Sequence, residues 1–84
     1  MIDVVLLTSE GCHLCDDARD SLSSLAAEFP VSVREVEMTS PEGRRFVERY
    51  RPAMPPAILI DGELFSVGRL PRTKLRRYLE ARAA

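Results

Sequence analysis

The chain has no tryptophan, one histidine and two cysteines in 84 residues, and no apolar run near the roughly 20 residues that span a bilayer. Each scarcity removes a class of function. A disulfide-stapled secreted scaffold needs several bridges closing longer loops, whereas the one ring available here, Cys12 to Cys15, takes little entropy from the unfolded chain. A zinc site finds only Cys12, His13 and Cys15, one ligand short of a closed set, so no metal is expected within one chain. No N-terminal stretch joins basic residues, a long apolar core and a small-residue cleavage site. A soluble cytoplasmic protein with no membrane partner is therefore expected.

Charge is unevenly spread. Residues 1 to 43 carry two bases against nine acids, and residues 44 to 84 carry ten bases against four, although the formal net charge is only -1. Nucleic acid or an acidic protein partner are the functional readings of the basic C-terminal segment, but it comes without a set of aromatic stacking residues and the net charge is slightly negative, so it reads as a solvated face and no nucleic-acid partner is expected. Phe29, Phe46, Phe65 and Tyr78 read as core or edge packing.

What is present reads as one α/β domain over residues 1 to 84, with no linker, internal repeat or low-complexity segment. Ile2 to Leu7 is nearly all apolar, which suits a central strand buried on both faces. The period then changes: Cys15, Ala18, Leu22, Leu25, Ala26 and Phe29 share a helical stripe over about 13 to 28, and Pro30 ends it. Val31 to Val36 is β-branched and partly alternating, so it reads as a half-exposed edge strand, parallel to the first. Thr39 and Glu42 stand at capping-box spacing before a helix whose inner face is Phe46, Val47 and Tyr50. Ala57 to Ile60 is a third strand, Asp61-Gly62 signals a hairpin turn, and Glu63 to Val67 returns antiparallel. Pro71 opens a last helix that packs Leu75, Tyr78 and Leu79 inward and leaves Arg72, Lys74, Arg76, Arg77 and Arg82 in water. The order is βαβαββα.

The chemistry concentrates in Cys12-His13-Leu14-Cys15, between the first strand and the first helix. Two intervening residues in a helical turn let the thiols close a disulfide ring. The free N–H groups and dipole of a helix start favour a thiolate at Cys12, while Cys15 falls on the apolar stripe. Charge on His13 would add to that preference, and Glu10, Asp16 and Asp17 would oppose it. The bland alternative for the pair is two small buried residues without chemistry.

With Gly11-Cys12-His13-Leu14-Cys15 opening the helix, Pro56-Ala57-Ile58-Leu59-Ile60-Asp61-Gly62 as a proline-led strand and turn, and a closing helix, the chain resembles the glutaredoxin branch of the thioredoxin-like superfamily. It is especially similar to small bacterial glutaredoxin-like proteins with a Cys-His-Leu-Cys site. The resemblance implies a four-stranded mixed sheet in the order second, first, third, fourth, with helices one and three on one face and helix two on the other. It implies a cis bond before Pro56, the proline that faces the cysteines.

By the same resemblance Cys12 is the nucleophile and Cys15 the resolving thiol of a thiol-disulfide oxidoreductase. Gly11 and His13 then tune the thiolate, and Leu14, Pro55 and Pro56 meet the substrate. The implied partners are a disulfide-containing protein or small thiol substrate and an external reductant, a reductase or glutathione. A monomer with no metal or organic cofactor is implied. The alternative is a non-catalytic binding module on the same fold, holding a partner or an iron-sulfur cluster bridged between two chains.

Three departures bear on glutathione. Ser9, followed by Glu10, stands where glutathione users carry a cation, Phe65-Ser66-Val67-Gly68 has one glycine where they have a pair, and Pro55 lacks the N–H that would meet the substrate backbone. Poor recognition of glutathione is expected, since a hydrogen bond to a charged group contributes about 1.5 to 3 kcal/mol.

Overall fold

The structure, a computed structural model, describes residues 1–83. Its elements are β1 (Ile2–Thr8), α1 (His13–Glu28), β2 (Val31–Glu37), α2 (Pro41–Tyr50), β3 (Ala57–Ile60), β4 (Glu63–Val67) and α3 (Arg72–Ala83). They follow the expected order, with β1 and β2 each one residue longer than their apolar runs. The sheet order is β2-β1-β3-β4, with β1 parallel to β2 and antiparallel to β3, and β3 antiparallel to β4.

The central position of β1 and β3 explains their composition. Val4 to Leu7 and Ala57 to Ile60 are all buried, alternate side chains entering opposite faces. One face collects Val4, Leu6, Ile58 and Ile60 with Ala18, Leu22 and Leu25 of α1 and Leu75 and Leu79 of α3. The other collects Val5, Leu7, Val36, Ala57 and Leu59, covered by half-buried Phe46, Val47 and Tyr50 of α2.

Several local expectations are corrected. The N-cap of α2 is Ser40, not Thr39: its hydroxyl accepts the Gly43 N–H at 3.0 Å, and Glu42 pairs instead with Arg34 on β2. Ala26 is exposed, so the α1 stripe is narrower than its sequence pattern. Strand β2 is the half-exposed edge strand expected, burying only Val31 and Val36 and leaving Val33 exposed. The hairpin contains a register shift at Ile58/Leu59, where Ser66 pairs with Ile58 and Leu64 with Leu59. This extra residue, Phe65, is turned onto the α1/α3 core against Tyr78, with ring centroids 5.4 Å apart. The turn itself has Asp61 at φ 51 and Gly62 at φ 84, the pair of positive angles that suits a tight hairpin.

The uneven charge of the two halves of the sequence becomes ion pairing between elements. Arg72 of α3 pairs with Asp17 of α1, Arg76 with Glu28, and Arg82 with Asp61 at the hairpin. These side chains remain partly in water, but they are engaged rather than simply solvated. Asp61 also accepts the Asp3 N–H at 3.1 Å, joining the start of β1 to the turn.

Candidate active site

The site forms where β1 ends and α1 begins. Gly11 takes φ 71, a backbone region that favours glycine, and turns the chain from the loop into the helix. Cys12 is the N-cap of α1: its carbonyl accepts the N–H groups of Cys15 at 3.2 Å and Asp16 at 3.3 Å. Its sulfur accepts the same Cys15 N–H at 3.1 Å. The cap position is thus filled by a sulfur where serine or aspartate commonly stands, and the donor that stabilises a capping oxygen is available to a thiolate.

Cys12 and Cys15 are disulfide-bonded, with Cα atoms 5.2 Å apart. Their environments differ. Cys12 is half-buried at the rim, whereas Cys15 is 1% exposed and lies under the helix. His13 is exposed at the first position of α1 and Leu14 is half-buried beside it.

Sheet pairing delivers the second part of the site. Leu7 pairs with Ala57, so Pro56 sits beside the end of β1, only a short loop from Cys12. The Pro55-Pro56 bond is cis, as expected. Pro56 is buried, Pro55 half-buried, and the Pro56 carbonyl accepts the Gly68 N–H at 2.8 Å. Met54, not singled out by the sequence pattern, is 46% exposed, and its side chain lies against Gly68. An isolated methionine in a loop carries no periodic signal, and only its neighbours in space distinguish it.

The acids near the start of α1 have partners that local spacing only partly shows. Asp16 accepts from Arg19 at 2.7 Å, and Asp17 from Arg72. Asp16 and Asp17 therefore have cationic partners, whereas Glu10 forms no ion pair among the described residues. Arg19 reaches on to Glu35 of β2 through two bonds of 2.8 and 2.7 Å, which hold the Glu35 carboxyl below its ordinary range. An Asp16-Arg19 spacing of three residues is legible in a helix, but the Asp17-Arg72 pair spans 55 residues and depends on the packing of α3. Among the described residues, no group of three or more His, Cys, Asp or Glu side chains gathers as a metal site, and no helix is long and apolar enough to cross a membrane.

Solved structures share this architecture. Mitochondrial thioredoxin 3 from Saccharomyces cerevisiae, in its oxidised form, superposes with a TM-score of 0.71 at 19% identity over 95% of this chain and 77% of that one. A point-mutant thioredoxin from Halobacterium salinarum gives 0.75 at 17% identity, covering 99% and 75%. Thioredoxin O2 from Arabidopsis thaliana, also oxidised, gives 0.74 at 14% identity, covering 100% and 76%. At these identities the likeness establishes the fold. A sequence model of the glutaredoxin-like domain (DUF836) matches residues 3–80, and with the cysteine pair at the helix start and the thioredoxin-like sheet behind it, this chain belongs to that glutaredoxin-like family.

Proposed function

We propose that the protein is a thiol-disulfide oxidoreductase that reduces disulfides of proteins or small molecules by cycling Cys12 and Cys15 between dithiol and disulfide. The thioredoxin-like fold and the paired cysteines support a redox function. The observation that carries the specific reading is the asymmetry of the pair: a half-buried Cys12 whose sulfur accepts an N–H at the helix start, and a fully buried Cys15 a turn further on.

In this reading the Cys12 thiolate attacks one sulfur of the substrate disulfide. The substrate S–S bond breaks, a mixed disulfide forms, and the first substrate sulfur leaves as a thiolate that takes a proton from solvent. Cys15 then loses its proton and attacks the Cys12 sulfur. The second substrate sulfur leaves and is protonated, so two electrons have passed to the substrate and the Cys12-Cys15 disulfide remains. An external thiol or reductase returns two electrons and two protons, and no metal or organic cofactor takes part. Gly11 sets the turn that presents Cys12, and His13, exposed at the next position, is its tuning residue. Half-buried Leu14 and Pro55 form the surface against which the substrate lies, while Pro56, expected there too, is fully buried and acts by shaping the backbone behind it. Ser9, Glu10 and Pro55 favour a reductant other than glutathione, in a cytoplasmic setting that keeps the pair reduced.

The reduction potential of the Cys12/Cys15 couple tests this reading. A value near the cytosolic glutathione poise, roughly -220 to -260 mV, is expected of a reductase. A value near that of a strong oxidant, about -120 mV, would instead make the protein a disulfide donor. Failure of the pair to cycle at all would leave a binding module.

A further inference from the structure

The segment that follows the hairpin runs from a bond with the cis-proline into the cation-rich first turns of α3. Gly68 is bonded to Pro56, and Arg69 is the next residue. From there Pro71 to Arg77 turns into α3, whose first residue, Arg72, is fastened to Asp17 on the second turn of α1. At a rise of about 1.5 Å per residue, Asp17 lies only some 6 to 8 Å along the helix from Cys12. A hollow of about 490 Å³, lined by Pro71, Arg72, Thr73, Lys74 and Arg77, opens on this surface.

The cations divide into two sets. Arg72 and Arg76 are engaged by carboxylates of α1. Among the described residues, Arg69, Lys74 and Arg77 form no ion pair and are exposed, with Lys74 lying 5.0 Å from the centroid of the Phe65 ring. Exposed Met54 adds an adaptable apolar contact beside Gly68. The first set is taken up by α1, and the second is left to face a partner.

Building on the redox reading above, we propose that Arg69, Lys74 and Arg77 form a docking surface for an acidic segment of a protein substrate, selecting disulfides flanked by aspartate and glutamate, with Met54 at its Gly68 end. The charge complementarity identifies the partner. Several cations on one side of a reactive sulfur raise the encounter rate of acidic chains and lower that of basic ones, an effect that salt screens. A flexible acidic stretch suits an open hollow better than a rigid planar ligand, and the aromatic beside the cations, Phe65, is half-buried against Tyr78 and covered by Lys74, which leaves no open ring for bases to stack on.

The test compares two peptides of equal length, each closing a disulfide ring, one flanked by glutamate and the other by lysine, with hydroxyethyl disulfide as a neutral substrate. The wild-type protein should reduce the acidic peptide about tenfold more efficiently than the basic one at low ionic strength, and the ratio should shrink as salt is added. The combined Arg69→Gln, Lys74→Gln and Arg77→Gln variant should bring the ratio to within about twofold, whereas Arg69→Lys with Arg77→Lys should keep it. Binding of the acidic peptide with serines in place of its cysteines, followed by fluorescence anisotropy, should show the same order without any redox step. A ratio near one, a preference for the basic peptide, or an unchanged ratio in the triple variant would overturn the proposal. Displacement of the acidic peptide by a single-stranded oligonucleotide at lower concentration than the peptide itself requires would overturn it too. No reduction of hydroxyethyl disulfide would sink the redox reading alone, because the anisotropy measurement still decides the docking surface.

Discussion

The two faces of the sheet are built on different terms. Under α1 and α3 lies a core that includes Leu6, Leu22, Ile58, Leu75 and Leu79, all nearly inaccessible to water, and two ion pairs cross between the helices. Under α2 the core is smaller, and the helix contributes only half-buried Phe46, Val47 and Tyr50 to it. What holds α2 is close approach. A methyl group on Gly43 would run into the Glu37 carbonyl oxygen, standing 2.7 Å from its carbon and 2.9 Å from the Met38 Cα, so only glycine lets the helix lie on the end of β2. At its other end the Tyr50 hydroxyl donates to the Gly62 carbonyl at the hairpin. The redox pair stands on the first face, where α1 is anchored by large buried side chains. The comparison shows that the site is mounted on the more redundant side of the molecule.

Breaking the first face should cost most. Leu75→Ala removes a fully buried side chain from between α3 and the sheet, and a loss of about 2 to 5 kcal/mol is expected in denaturant unfolding. Gly43→Ala should cost less, about 1 to 3 kcal/mol, by forcing α2 away from backbone that cannot yield as a side chain would. Because α2 lies on the opposite face, the variant should keep the Cys12/Cys15 reduction potential while its stability falls. A larger loss from Gly43→Ala than from Leu75→Ala would invert the comparison.

The smallest expected effect is electrostatic and spans both faces. Hydrogen bonds from Arg19, Arg34, Arg76 and Arg82 hold the carboxyls of Glu35, Glu42, Glu28 and Asp61 below their ordinary values. A carboxyl with a depressed folded-state pKa stabilises the fold fully above its unfolded value and loses that contribution as pH falls through the folded one. Stability should therefore be level near neutrality and decline gently below the ordinary values of 4.5 for Glu and 3.8 for Asp. These pairs are largely solvated, so the decline should flatten in salt. Thermal melts across pH at two ionic strengths check it, and a stability that rises on acidification would contradict it.

How much of this was legible in the sequence depends on the range of the interaction. The strands, the helix starting at His13 and the Asp61-Gly62 turn follow from local periodicity and turn chemistry, and the expected boundaries lie within a residue or two of the observed ones. The cis Pro55-Pro56 bond and the sheet order were reached through the family resemblance, not from periodicity. Missed features are those set by neighbours distant in sequence or by a single competing residue. Ser40 outcompetes Thr39 as a cap because it is the residue that reaches the Gly43 N–H. The need for glycine at position 43 depends on where β2 ends relative to α2. Asp16 and Asp17 read as charges opposing a thiolate, and the fold supplies Arg19 and Arg72 to answer them. At the candidate site the motif was plain, but the cations and Met54 around it required the three-dimensional arrangement.

The central claim is that Cys12 attacks and Cys15 resolves, and trapping tests it most directly. Incubated with a small disulfide, the Cys15→Ser protein should accumulate a mixed disulfide on Cys12, seen by mass spectrometry as the added mass of one half of the disulfide, because the attacking sulfur survives and its resolver is gone. Cys12→Ser should accumulate little, since the remaining thiol is 1% exposed beneath the helix. Trapping in Cys12→Ser and none in Cys15→Ser would reverse the assignment and contradict the account.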